Sequence, residues 1–224
     1  MNYAIILAGG TGSRAGGPLP KQFQIIGGKR MIWWSVEAFK NFDKDCRIIL
    51  VTHPEYLEHW DNLFGEEEKG LNYSIEKTSG GCTRIESVKN GLAKVRELEG
   101  NETAGIVVYI HDSARPLVTP ELIERGAEMI KAGTGAIPVI PVTDSIRKIT
   151  PQGTIPLNRN EYVAVQTPQI FLYEDIQAAY DALKEEEGLT DDASVAEKFG
   201  LKIEIFAGDP DNIKVTNPSD FKIF

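Results

Sequence analysis

The sequence predicts an α/β protein built on a doubly wound, mostly parallel sheet. Two observations carry this expectation. Apolar, β-rich runs alternate along the chain with amphipathic stretches, which is the pattern of successive βαβ units. The first apolar run, Tyr3-Ala4-Ile5-Ile6-Leu7-Ala8, also breaks directly into Gly9-Gly10-Thr11-Gly12-Ser13-Arg14, a strand followed by a glycine-rich loop. At 224 residues the chain can bury a substantial core, and one domain spanning 1–224 is the simplest division.

Taken in order, the strand candidates are 3–8, 47–52, 72–76, 105–110, 135–140 and 202–206. The amphipathic stretches between them predict helices over 31–41, 54–64, 84–98, 119–131, 173–186 and 192–199. Thr119-Pro120-Glu121 places a capping residue ahead of a proline at the first helical position, and Thr190-Asp191-Asp192 opens an acidic first turn. Between Val142 and Gln169 the alternation stops. Two extended pieces, Ser145–Thr150 and Thr154–Leu157, flank the turn signal Pro151-Gln152-Gly153. A hairpin inserted there, over about 142–160, reads either as a projecting arm for dimerisation or as a surface excursion without functional weight.

Composition narrows the classes. Two cysteines, Cys46 and Cys82, are too few for a disulfide framework, and with His53, His59 and His111 they form no zinc pattern. A net charge of -9 argues against a broad nucleic-acid surface. No segment has the apolar length to span a bilayer and no leader pattern opens the chain, so a cytoplasmic protein without nucleic-acid or membrane partners is expected. Any anion it binds is then small, held by a few local cations.

Four stretches carry candidate chemistry. The glycine loop after the first strand lets backbone N–H groups form an anion-binding nest, with Arg14 and Pro20-Lys21 adding charge. It fits neither the Walker A nor the dinucleotide pattern, and an ordinary turn with solvated cations remains open. Tyr109-Ile110-His111-Asp112-Ser113-Ala114-Arg115-Pro116 ends a strand in an acid, where open α/β sheets bind ligands. Asp112 is there the best-placed carboxylate for a divalent cation, or else a loop acid paired with Arg115. Gly80-Gly81-Cys82-Thr83-Arg84 again permits close backbone approach to a ligand such as a base. Lys214, in Asp211-Asn212-Ile213-Lys214-Val215-Thr216, is an isolated cation or a solvated strand lysine.

The ordered series L-A-G-G-T-G-S-R, P-K-Q-F, G-G-x-x-R-x-x-S-V, H-D-S-A-R-P, P-V-T-D-S-I, V-Q-T-P-Q-I-F, T-D-D-A-S and D-N-I-K-V-T resembles the cytidylyltransferase family, in its non-mevalonate isoprenoid branch, over essentially the whole chain. The resemblance implies a Rossmann-like doubly wound fold with a β-hairpin dimerisation arm. It implies transfer of CMP from CTP to a polyol phosphate, with pyrophosphate released and Mg²⁺ as cofactor. The acceptor would be methylerythritol 4-phosphate, or ribitol 5-phosphate in a sister enzyme. By position, Arg14, Lys21 and Lys214 resemble the family's catalytic cations. Ala8, Gly9, Gly10, Thr11, Gly12, Gly81, Arg84, Ser87, Asp112 and Ser113 resemble its nucleotide site, Asp112 also its metal ligand. Ser145, Arg159 and Thr167 resemble the clasp on the acceptor's phosphate, contributed across a homodimer. Two departures stand out: Cys82 replaces an acid that usually follows the second glycine, and Ser145 stands where threonine is commoner. A structural role is expected for His111.

Overall fold

A computed structural model describes residues 1–10 and 19–223, the last by its backbone alone. Thr11, Gly12 and Arg14 therefore lie outside the described residues. The chain opens with β1 (Asn2–Ala8), the small hairpin β2 (Ile25–Ile26) and β3 (Lys29–Arg30), α1 (Met31–Phe42) and β4 (Arg47–Thr52). It continues through α2 (Pro54–Glu58), α3 (Trp60–Lys69), β5 (Ile75–Ser79), α4 (Arg84–Glu99), β6 (Val107–Asp112), α5 (Pro120–Ala127) and β7 (Thr134–Pro141). The remainder is β8 (Arg147–Thr150), β9 (Gly153–Pro156), β10 (Val163–Val165), β11 (Gln169–Leu172), α6 (Tyr173–Ala182), α7 (Asp192–Phe199) and β12 (Lys202–Ala207).

Six strands run parallel in one eight-stranded sheet. β5, β4, β1 and β6 lie side by side, and β12 is parallel to β7. β11 is antiparallel to both β6 and β7 and stands between them, while β10 extends the same antiparallel line along β7. β1 lies inside the sheet between β6 and β4, and its alternation explains why both faces need helices. Ala4, Ile6 and Ala8 pack among residues of α1, α3 and α5, including Val36, Phe39, Phe64 and Leu122. Tyr3 and Ile5 point the other way, among Val88 and Leu92 of α4, Ile176 of α6 and Val195 of α7. A strand buried on both faces reads as one continuous apolar run, as this one does. Each large side chain so buried contributes roughly 1.5–3 kcal/mol. Helix α4 comes so close that a Cβ on Gly91 would lie 2.5 Å from Ile5 Cγ2.

The expected boundaries shift in places. The strands expected at 72–76 and 105–110 lie later, as β5 and β6, and the helix expected over 54–64 divides at His59 into α2 and α3. Helices expected to reach 131 and 186 end at Ala127 and Ala182. Helix α7 runs over the expected 192–199, capped by Asp191, whose side chain accepts from Ser194 N–H, with Asp192 in its acidic first turn. β8 and β9 form the expected hairpin as a two-stranded sheet of its own, pairing Arg147 with Pro156 and Thr150 with Gly153.

Candidate active site

Parallel strands deliver their carboxyl ends to a single rim, where Ala8, Thr52, Ser79 and Asp112 all finish. The loops after β1 and β5 meet there. Gly80 N–H donates to Thr52 O at 2.6 Å, and a Cβ on Gly80 would stand 3.7 Å from Gly9 Cα and 3.2 Å from Ser87 Oγ. A side chain at Gly80 would press on Ser87 Oγ and Thr52 O while only touching Gly9. Ser87 lies beneath both loops, accepting from Gly81 N–H at 3.1 Å and donating to Thr83 O at 3.0 Å. The predicted pair of glycine loops and Ser87 thus meet at one place on the rim.

Asp112 is the electrostatic centre of the rim. Its Oδ2 accepts from Lys214 Nζ at 2.6 Å, and its Oδ1 lies 3.6 Å from Arg84 Nε. Burial disfavours the charged carboxylate, but Arg84 and then Lys214 more than offset that, holding its pKa well below the usual carboxylate range. An anionic Asp112 flanked by two cations is therefore the resting state. Arg115, the alternative partner, donates instead to the carbonyls of Asn212 and Val165. Lys214 is half-exposed but engaged, not merely solvated.

Lys21 reaches the same rim from the segment before α1, and its Nζ donates to Val215 O at 2.6 Å, next to Lys214. Phe23 anchors this segment, stacking on Phe64 with ring centroids 4.7 Å apart. Gln22 ties it to the glycine loop: its Nε2 donates to both Ala8 O and Gly10 O at 2.7 Å. Ser113 Oγ donates to Leu7 O, fixing the start of the next loop against β1.

His111 is fully buried behind Asp112, with a pKa lowered by burial to about 4. Its Nδ1 lies 3.1 Å from Thr167 Oγ1, which itself accepts from Asp112 N–H at 3.1 Å. The structural role expected for His111 agrees with this position between β6 and the loop before β11. Thr167 is thereby beside Asp112, whereas Ser145 and Arg159 stand on the exposed hairpin segment. Arg159 donates there to Thr143 O, and no hydrogen bond or ion pair joins it or Ser145 to the Asp112 cluster among the described residues.

Cys82 is exposed, and its N–H donates to Glu86 Oε2 at 2.6 Å, so a carboxylate from α4 occupies the loop that lacks its usual acid. Cys46 is buried and its thiol is pushed up to about 12 by that burial. Among the described residues no group of three or more His, Cys, Asp or Glu is placed to hold a metal ion. Among the described residues Asp112 is a carboxylate at the end of a rim strand, the chemistry that a hard cation shared with phosphate oxygens takes. Sequence reasoning assigned no part to Gln22 or Asp192, although both lie inside quoted motifs; Lys21 precedes the one and Asp191 the other, so no apolar bracket marked either as buried.

Comparison with known proteins gives a consistent set of likenesses. The family model described as IspD, 2-C-methyl-D-erythritol 4-phosphate cytidylyltransferase, matches residues 2–224. The 2-C-methyl-D-erythritol 4-phosphate cytidylyltransferase of Bacteroides thetaiotaomicron is 40% identical over 219 residues, 98% of this chain and 95% of the relative. That of Cereibacter sphaeroides is 40% identical over 225 residues, 97% of this chain and 92% of the relative. A crystal structure of 4-diphosphocytidyl-2C-methyl-D-erythritol synthase from Anaerococcus prevotii superposes with a TM-score of 0.79 at 25% identity, covering 99% of this chain and 93% of that one. A second synthase structure gives 0.77 at 28% identity, covering 99% and 95%.

Proposed function

The chain belongs to the 2-C-methyl-D-erythritol 4-phosphate cytidylyltransferase family, and we propose the following division of labour for the reaction, in which CMP passes from CTP to the acceptor's phosphate. An acceptor phosphate oxygen attacks the α-phosphorus of CTP, forming the new P–O bond as the bond to pyrophosphate breaks. The product is 4-diphosphocytidyl-2-C-methyl-D-erythritol. A phosphate monoester is already largely ionised at neutral pH, its second pKa being about 6, so the attack needs little general-base help. Positioning and charge stabilisation then supply the rate.

The observation that carries this reading is the Asp112 cluster, with Lys214 and Arg84 on one carboxylate and Lys21 bonded beside Lys214. Arg14, Lys21 and Lys214 are assigned to the charge that develops on the triphosphate. Ala8, Gly9, Gly10, Thr11, Gly12, Gly81 and Ser87 are assigned to the nucleotide, Ser87 swinging its hydroxyl proton from Thr83 O to the base carbonyl. Arg84, Asp112 and Ser113 complete that side, and Thr167 with Ser145 and Arg159 receives the acceptor. Asp112 would hold Mg²⁺, which neutralises phosphate charge when bound.

The hairpin supports assembly as a homodimer. Ile149 is 84% exposed and Ile155 53%, on a two-stranded ribbon that is marginal by itself. A second copy covering it would bring Ser145 and Arg159 to a neighbour's rim, which suits their separation from Asp112 in one chain. Residues 1–224 are taken as one nucleotidyltransferase domain. Among the described residues no helix is long and apolar enough to cross a membrane. A cytoplasmic setting, with CTP and a polyol phosphate as partners and no nucleic acid, completes the reading.

Pyrophosphate release from CTP tests it, with methylerythritol 4-phosphate and ribitol 5-phosphate offered separately. Turnover with the first and little with the second is expected. Turnover only with ribitol 5-phosphate, or equal use of UTP, would overturn the acceptor or the base assignment.

A further inference from the structure

The motif T-D-D-A-S does more than begin a helix. Asp191 already caps α7 and is held by Gln169, so capping leaves Asp192 without a task. Yet Asp192 is fully buried. Its Oδ1 accepts from Arg84 Nη1 at 2.9 Å and from the Tyr180 hydroxyl at 2.6 Å, and its Oδ2 accepts from Arg84 Nη2 at 2.7 Å. Arg84 in turn presents its Nε to Asp112.

This arrangement is a poor way to gain stability. Burying an ion pair costs desolvation that its attraction barely returns. Arg84 is also the first residue of α4, where the helix dipole disfavours a cation. Something must hold it there. Burial works against the Arg84 charge, but Asp192 more than reverses this and raises its pKa. Burial and the same carboxylate raise Tyr180's, so its hydroxyl stays a donor.

We propose that Asp192, with the Tyr180 hydroxyl, is a positioning residue: it occupies both terminal nitrogens of Arg84 and leaves only the Nε edge for Asp112, keeping that carboxylate open to the nucleotide side of the site. The inference rests on the nucleotide reading above. Without the Asp192 charge, Arg84 turns its two-pronged face to Asp112 and closes that carboxylate into a tight pair. Lys21 keeps its bond to Val215 O and Lys214 its bond to Asp112 Oδ2, so the loss falls on nucleotide binding and not on the chemical step.

The experiment compares wild type, Asp192→Asn and Tyr180→Phe by calorimetric titration with CTP and Mg²⁺ in the absence of acceptor, and by kcat at saturating CTP. Asp192→Asn should weaken CTP binding about tenfold, the lower end of the loss when an outer partner of a charged site is removed, with kcat within about threefold. Tyr180→Phe should weaken it about threefold, and carries the test if the Asn variant does not fold. In an Arg84→Met background, Asp192→Asn should change CTP affinity no further. Unchanged affinity in both variants, a loss confined to kcat, or a loss that persists without Arg84 would overturn the proposal. The Asp112 carboxyl carbon signal of the ligand-free protein separates the two readings. It should move in Asp192→Asn even if wild type binds no CTP, which would defeat the nucleotide reading alone; a signal that does not move defeats the positioning role.

Discussion

Acidification should destabilise this protein through His111. The network fixes the neutral form. Nε2 lies 3.2 Å from Arg115 O, an acceptor only, so that nitrogen carries the proton. Nδ1 is then the acceptor for the Thr167 hydroxyl, which itself receives Asp112 N–H. Adding a second proton places a charge where no solvent reaches, and the folded pKa falls to about 4. In the unfolded chain a histidine titrates near 6.5. Above that value the imidazole is neutral in both states and adds no slope. As pH falls below it, the unfolded state takes up a proton that the folded state refuses until about 4. The gap between 6.5 and about 4 amounts to about 3 kcal/mol of stability lost across that window. His111→Gln removes the titration while keeping a donor and an acceptor. It should be about 2 kcal/mol less stable at neutral pH, from imperfectly replaced hydrogen bonds. The two stability curves should then meet near about pH 5, where the wild type has lost a similar amount. Urea unfolding at stepped pH measures both curves, and the His111 ring signal checks the microscopic pKa directly. Parallel curves, or a ring that titrates near its ordinary value, would refute the reasoning.

Gln22→Leu leaves Ala8 O and Gly10 O without the donor they share; CTP affinity measured by titration should fall about tenfold, the scale of one buried hydrogen bond, and an unchanged Kd would show that the loop holds itself. Cys82→Ser should keep most activity, because the residue is exposed and its loop is held through its backbone N–H; near-complete loss, or a nucleotidyl adduct trapped there, would require covalent chemistry. Lys21→Ala should lower kcat by about 100- to 1,000-fold. If Lys21→Ala and Arg159→Ala act in opposite chains of a dimer, unfolding and refolding them as a mixture should restore roughly a quarter of wild-type activity, because about half the dimers are mixed and each holds one intact site; a dead mixture with mixed dimers present would rule the shared site out.

The parts of the site legible in the sequence are those that a single strand and its loop supply. Ala8 with its glycines, Gly80-Gly81 with Ser87, and Asp112 each follow a buried apolar run, and parallel strands carry them to one rim without further information. β11 was not legible. Its four residues follow Pro168 and gain their strand character from β6 and β7, which flank them in space; short strands take their preference from such neighbours. The Arg84–Asp192 bridge joins residues 108 apart, so no local pattern could announce it. The start of α7 was legible, because Asp191 ahead of the amphipathic stretch is a good cap and the structure uses it.

The span between Lys21 and the carbonyl it holds is 194 residues. Synthesis runs at roughly 5–20 residues per second, so the first half of this contact waits on the order of ten seconds or more for the second. During that interval β1, β4, β5 and β6 can already pair, since all precede residue 113. The nascent chain therefore gains its scaffold well before its cationic rim is complete, and a half-made molecule lacks the Lys214 side of that rim and the carbonyl that holds Lys21. Competence arrives late and as a single event, when the 211–216 segment docks through Asn212 and Val215. Any slowing of that docking would lengthen the time to first turnover while leaving the spectroscopic appearance of a folded sheet unchanged.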